Sequence, residues 1–103
     1  MTPDVVICEC FARDGLQHEI AQIETTDKIT LIDAMTDVGF LRIEATSYSH
    51  PKQVTCFADA SKVLRGIKRS DNIWYKATCP NERAVERAVT DLDEGYGANE
   101  ISF

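Results

Sequence analysis

Within Cys8-Glu9-Cys10-Phe11-Ala12-Arg13-Asp14-Gly15-Leu16-Gln17-His18-Glu19, the cysteines, the acids, Arg13 and His18 are residue types that bind a metal, carry a charge or move a proton. The stretch directly follows a short apolar run, Val5-Val6-Ile7-Cys8. A second group of polar residues, Arg42, Glu44 and Thr46, alternates with Leu41, Ile43 and Ala45, and Ser47 follows. Carboxylates and an arginine brought together from two such segments suit cation binding and the holding of negative charge. Whether they meet depends on the elements that carry them.

Strand and helix patterns alternate along the chain. Residues 4–10 contain the apolar run of a buried strand. Thr25 to Val38 repeats Ile29, Ile32 and Met35 at helical spacing, with Leu31 and Val38 beside them. Thr25 or Thr26 suits its start and Gly39 its end. Phe40 to Thr46 is expected as a second strand. Gln53 to Lys68 is expected as a helix with Ala60, Val63, Leu64 and Ile67 on one face. Ile73 to Thr78 is expected as a third strand. Asn81 to Asp93 is expected as a third helix, carrying Ala84, Val85, Ala88, Val89 and Leu92, with Pro80 before it. Glu100-Ile101-Ser102-Phe103 opens a fourth strand.

This βαβαβαβ order implies an α/β fold with a parallel sheet and helical crossovers. An open doubly wound sheet and part of a (β/α)8 barrel both fit. A full barrel needs about 250 residues, and this chain has 103. The reading is therefore a partial TIM barrel, with residues 1–103 as its N-terminal portion: about three βα units and the start of a fourth strand, either a fragment or half of an assembly.

Side chains alternate across a strand. Leu41, Ile43 and Ala45 should meet the helices, and Arg42, Glu44 and Thr46 should look into the barrel. Val5, Ile7 and Glu9 share a face, so Glu9 is also expected inward. Ligand sites lie at the C-terminal ends of the strands in both kinds of α/β fold. Glu9, Arg13, Asp14, Gln17 and Glu44 would then converge on one mouth. A plainer reading also stands: Arg42 and Glu44 form an ion pair or a wet edge, and Arg13-Asp14-Gly15 is a turn with glycine in a left-handed conformation.

The chain is 44% hydrophobic and 27% charged, as folded proteins are. A net charge of −6 argues against nucleic acid or an anionic membrane as the main partner. No apolar run approaches the ~20 residues of a membrane span, and the first residues do not read as a signal peptide. Cys8 and Cys10 form C-x-C, while Cys56 and Cys79 are isolated. That is neither a zinc-finger spacing nor a disulfide framework. Reduced thiols in a cytoplasmic compartment are expected, with the cysteines as small buried residues.

Arg13-Asp14-Gly15-Leu16-Gln17-His18-Glu19, followed by Ile43-Glu44-Ala45-Thr46-Ser47-Tyr48-Ser49-His50-Pro51-Lys52, resembles hydroxymethylglutaryl-CoA lyase. That family carries R-D-G-L-Q-x-E after its first strand and I-E-x-T-S-x-x-x-P-K after its first helix. Pro80-Asn81 also fits its T-P-N turn, with Cys79 in place of the threonine. The resemblance covers nearly the whole chain but only the first half of the family's barrel. It implies a Mg²⁺- or Mn²⁺-dependent lyase, of the leucine-degradation type. Such an enzyme splits 3-hydroxy-3-methylglutaryl-CoA into acetyl-CoA and acetoacetate.

Breaking that carbon–carbon bond needs a base for the tertiary hydroxyl proton and electrophiles for the developing charge. By resemblance, Asp14 is the metal ligand, Arg13 stabilises the enolate-like charge and Gln17 lies near the substrate. Glu44 supports the metal shell and Ser47 contacts substrate. An acyl-CoA substrate and a homo-oligomeric full-length form are implied.

The family's H-x-H pair, its metal-binding asparagine and its glycine-rich cysteine loop do not occur here. His18 and His50 fall on no family ligand position, and V-G-P before R-D is replaced by Cys10-Phe11-Ala12. The chain alone is therefore expected to bind Mg²⁺ very weakly and to lack lyase activity. Related readings are a lyase for a longer branched acyl-CoA and a synthase joining acetyl-CoA to a 2-oxo acid. A non-catalytic half-barrel that assembles with a partner or with itself is a third.

Overall fold

The computed structural model describes residues 5–16 and 23–103. Four strands, β1 (Cys8–Glu9), β2 (Arg42–Ser47), β3 (Trp74–Thr78) and β4 (Glu100–Ser102), form one sheet in the order β1-β2-β3-β4. All three pairings are parallel. Helices α1 (Thr25–Val38), α2 (Ala60–Gly66) and α3 (Glu82–Asp93) make the crossovers.

The strand order decides between the two folds left open by the sequence. Right-handed crossovers between successive neighbours place every helix on the same face. A doubly wound sheet must instead reverse direction to cover both faces. Here the order runs straight through, so the helices share one face and the other is a barrel interior. The architecture is a partial (β/α)8 barrel.

The core lies between sheet and helices. Ile43 and Ala45 from β2, and Tyr75 and Ala77 from β3, meet Ile32, Met35, Ala60, Val63 and Leu64. Helix α1 has the bounds its spacing predicts, and Gly39 closes it at φ 100, a left-handed conformation that favours glycine. Ala60, Val63, Leu64 and Ile67 are all buried as predicted.

Three local expectations are corrected. The first strand pairs only at Cys8 and Glu9, because Cys8 already sits opposite Arg42, the first residue of β2. Among the described residues no strand lies beside Val5 or Ile7, and both are exposed.

The helix expected over 53–68 is split into a 3₁₀ turn, Thr55–Phe57, and the shorter α2. The cause is Lys28 of α1, which is buried. Its Nζ donates to the Cys56 carbonyl, the acceptor a continuous helix would offer to Ala60, and to Asp59 Oδ1 at 2.8 Å. Thr25 donates to Asp59 Oδ2 at 2.6 Å, so it does not cap α1. Glu24 occupies the cap position without a side-chain bond.

Helix α3 is rotated from its apolar prediction. Asn81 caps it, accepting from Ala84 N at 2.9 Å. Its buried residues are Ala84, Ala88 and Asp91, while Val89 and Leu92 are about half exposed. Asp91 turns inward because three hydroxyls bind it: Tyr48 at 2.5 Å, Ser61 at 2.6 Å and Tyr96 at 3.0 Å. Among the described residues no helix is long and apolar enough to cross a membrane.

Candidate functional site

The inner face of the sheet is polar because of strand parity. Glu44 and Lys76 are register partners, as are Ser47 and Thr78, and partners in a parallel pair point to the same side. Between Glu44 and Thr46 the register shifts at a β-bulge. Bulges re-aim the side chains that follow. Thr46 therefore aligns with Ala77 on the helix side, and Ser47 joins Glu44 on the inner face. Strict alternation had assigned Thr46 inward; the bulge exchanges the two.

Glu44 is the hub. Its carboxylate is almost completely buried, 4% exposed. Oε1 accepts from Arg13 Nε at 2.5 Å and from Thr78 Oγ1 at 2.5 Å. Oε2 accepts from Cys10 Sγ at 3.3 Å and lies 3.7 Å from Lys76 Nζ. Burial acts to raise its pKa, but the bonds from Thr78, Cys10 and Arg13, with the charge of Arg13, outweigh it and hold the carboxyl below its ordinary value. Glu44 thus stays ionised at neutral pH. Its contribution to stability is present above the usual carboxylate range and is lost as pH falls through the depressed value.

Arg13 reaches this carboxylate from the π-helical turn Phe11–Gly15, which directly follows β1. Its backbone N–H bonds to the Cys10 carbonyl at 3.1 Å. Gly15 is there for space, not for a left-handed backbone: the positive-φ glycines among the described residues are Gly39 and Gly95. A Cβ on Gly15 would lie 2.3 Å from the Phe11 ring. Arg13 and Glu44 thus converge as expected, at the C-terminal end of β1. The ion pair that the plainer reading gave to Arg42 and Glu44 is corrected: Arg42 pairs with Glu100 at 2.8 Å.

The other predicted residues fall variously. Ser47 is buried, with its hydroxyl 2.6 Å from that of Ser49. Asp14 lies on the π-helical turn, but its side chain is outside the described structure, and Gln17 is outside the described residues altogether. His18 and Glu19 are outside them too. His50 is a loop residue whose Nδ1 accepts from Lys52 N at 3.1 Å.

Glu9 is corrected. It aligns with Ile43 on the helix side, while Cys8 aligns with Arg42 on the inner face. Glu9 accepts from Phe11 N at 2.9 Å. Parity then puts Cys10 inward too, and the two Sγ atoms lie 3.9 Å apart. The Cys10 thiol is pushed up to about 12 by burial and by its bonds to Glu44 and Cys8. Cys8 and Cys10 are thus site-facing and not merely core fillers. Lys76 and Thr78 are the other residues the sequence reading missed. The alternation of Trp74-Tyr75-Lys76-Ala77-Thr78 carried that signal, as it did for β2.

A cavity of about 330 Å³ opens beyond the ends of β2 and β3, lined by Tyr48, His50, Pro51, Lys52, Asn81, Arg83, Ala84 and Arg87. Arg87 is fixed over the Tyr48 ring, 5.1 Å from its centre, and donates to the Tyr48 carbonyl at 3.1 Å. Three cations around one cavity are unexpected in a chain of net charge −6.

The described side chains do not fit a hard octahedral cation. Such an ion takes several oxygen ligands, whereas Glu44 is the one carboxylate here and its neighbours are two thiols, Arg13 and Lys76.

No protein-family model matches the chain. Among curated proteins, it is 44% identical to the hydroxymethylglutaryl-CoA lyase YngG of Bacillus subtilis over 85 residues, covering 82% of this chain and 28% of that protein. It is 43% identical to the mitochondrial hydroxymethylglutaryl-CoA lyase of Rattus norvegicus over 99 residues, covering 96% and 29%. The chain thus spans under a third of the length of these relatives. Among solved structures, an HMG-CoA lyase from Acinetobacter baumannii, in complex with coenzyme A and 3-methylmalate, superposes with a TM-score of 0.86 at 38% identity, covering 98% of this chain and 32% of that one.

Proposed function

We propose that this chain is the N-terminal portion of the catalytic barrel of a hydroxymethylglutaryl-CoA lyase, and that it supplies one wall of the active site. The observation that carries this reading is the Arg13–Glu44 pair at the strand ends, its carboxylate buried, within a chain similar to such lyases over nearly its whole length. In the complete protein the substrate is 3-hydroxy-3-methylglutaryl-CoA and the products are acetyl-CoA and acetoacetate.

In this reading a base takes the tertiary hydroxyl proton, the carbon–carbon bond breaks as the alkoxide collapses to the ketone of acetoacetate, and the acetyl-CoA enolate leaves and is then protonated. Arg13 stabilises the enolate oxygen. Glu44 is a positioning residue: with Thr78 it fixes the Nε side of the guanidinium before substrate arrives, so little reorganisation is needed at the moment of reaction. Ser47 and Gln17 contact substrate.

Asp14 is this chain's ligand to Mg²⁺ or Mn²⁺, with the remaining ligands supplied from outside residues 1–103. The complete form is a homo-oligomer. A cytoplasmic, reducing compartment is supported by the four cysteines, all free thiols.

Assay of the complete protein in both directions tests the reading. Cleavage of the thioester substrate is expected. Condensation of acetyl-CoA with a 2-oxo acid, without cleavage, would assign it to the synthases instead.

The cationic cavity is proposed to take the phosphate-bearing end of the coenzyme A moiety, through Lys52 and Arg83. Losing one charge-assisted contact of about 1.4 kcal/mol corresponds to about tenfold in binding. Arg83→Glu is therefore expected to raise KM for the acyl-CoA about tenfold or more with kcat unchanged, and to weaken the dependence of KM on salt. An unchanged KM would place the coenzyme elsewhere.

A further inference from the structure

We infer that Cys8, Cys10 and Glu44 form a site for one thiophilic divalent cation of the zinc type, on the inner face of the sheet. The three donor atoms lie within 4.8 Å of one another. The Sγ atoms are 3.9 Å apart, and Cys10 Sγ is 3.3 Å from Glu44 Oε2. A tetrahedral zinc ion with Zn–S of about 2.3 Å and Zn–O of about 2.0 Å sets its ligand atoms about 3.8 Å (S to S) and about 3.5 Å (S to O) apart. These two separations match the edges within about 0.2 Å, and the third, from Cys8 Sγ to the Glu44 carboxylate, is no longer than 4.8 Å.

The local structure explains why the geometry is ready-made. Cys8 lies in β1, and its pairing with Arg42 puts its thiol on the face of Glu44; Cys10 directly follows the strand, and its Sγ meets both Cys8 Sγ and Glu44 Oε2. Arg13 and Thr78 both hold Oε1 of Glu44, which leaves Oε2 directed at the thiols. The third ligand comes from the neighbouring strand, so the spacing of the cysteines along the chain matches no zinc-finger pattern.

The charges are also compatible. Two thiolates and a carboxylate carry −3 and the ion carries +2, and the cations Arg13 and Lys76 stand at the same carboxylate to offset the remaining negative charge. On binding, each S–H bond breaks as the S–metal bond forms. The protons pass to solvent and no electron is transferred. The fourth tetrahedral position is open to water or another ligand. Thiolates select zinc over magnesium or manganese. This site is therefore distinct from the oxygen-ligated cation assigned to Asp14 and does not rest on the lyase reading.

The test is alkylation of the folded, reduced wild-type protein with iodoacetamide, mapped by mass spectrometry, with and without one equivalent of Zn²⁺. Zn²⁺ is expected to slow modification of both Cys8 and Cys10 at least tenfold and to leave Cys56 unaffected, while Mg²⁺ protects neither. Co²⁺ is expected to give a thiolate charge-transfer band that one equivalent of Zn²⁺ removes. Cys10→Ser should abolish that band and Cys56→Ser should keep it, each variant being checked for native circular dichroism. Equal labelling with and without Zn²⁺, equal protection by Mg²⁺, or a full cobalt band in folded Cys10→Ser would overturn the proposal. The labelling arm uses wild-type protein, so it decides the matter even if a variant does not fold.

Discussion

Arg13→Ala in the complete protein is expected to lower kcat for thioester cleavage by about 100- to 1,000-fold, the usual effect of removing one preorganised oxyanion donor. KM should change little, because the contact strengthens only as the enolate charge develops. The structure gives the reason for so large an effect. The guanidinium is held by a carboxylate that is itself bonded to Thr78 on the next strand and to Cys10 just after the first. Arg13→Lys should recover little, since an ammonium on a flexible stem cannot reproduce a planar group fixed through Nε. Steady-state kinetics of the two variants check this. A kcat within threefold of wild type for Arg13→Ala would remove Arg13 from the mechanism.

Asp91→Ala is expected to destabilise the fold by about 3 kcal/mol or more, read as a shift in urea unfolding with unchanged slope. The carboxylate accepts from Tyr48, Ser61 and Tyr96. Tyr48 is 1% exposed, so its phenol would be left buried without an acceptor, at about 1–3 kcal/mol, with further loss from the other two donors. Burial and the bond to Asp91 raise the Tyr48 pKa, which keeps the phenol a donor at every working pH. Asp91→Asn, which retains an acceptor oxygen, should cost less. Val89→Ala and Leu92→Ala, on the half-exposed side of α3, should each cost under about 1 kcal/mol. If either apolar truncation proved more damaging than Asp91→Ala, the rotation assigned to α3 would be wrong.

The same rotation shows where the sequence was legible and where it was not. α1 could be read to its last residue because apolar spacing and a terminal glycine agree. The alternation in β2 correctly sent Ile43 toward the helices and Glu44 inward, which located the hub of the site. Alternation then failed one turn of the pleat later, because nothing in Ala45-Thr46-Ser47 announces a bulge. In β1 both parities are mostly apolar, Val6-Cys8 on one and Val5-Ile7 on the other. The choice of inward face therefore rested on Glu9 and came out reversed.

The remaining misses are long-range. Lys28 divides a helix about 28 residues further along by taking the Cys56 carbonyl, and Asp91 is buried for the sake of hydroxyls on three other segments. Periodicity registers apolar burial and is blind to a charge buried by distant partners. The cationic cavity was missed likewise, because Lys52, Arg83 and Arg87 are brought together by the ends of two strands.

The wall built from Arg13 and Glu44 is proposed to stabilise the enolate of acetyl-CoA. Hydrogen exchange measures that step without the full reaction: acetyl-CoA is incubated with the complete protein in D₂O, and deuterium entering the acetyl methyl group is followed by mass spectrometry. Wild-type protein is expected to exchange the methyl hydrogens, with Arg13→Ala at least 100-fold slower. Exchange at the wild-type rate in Arg13→Ala, or none above the uncatalysed rate in a wild-type protein that still cleaves substrate, would contradict it.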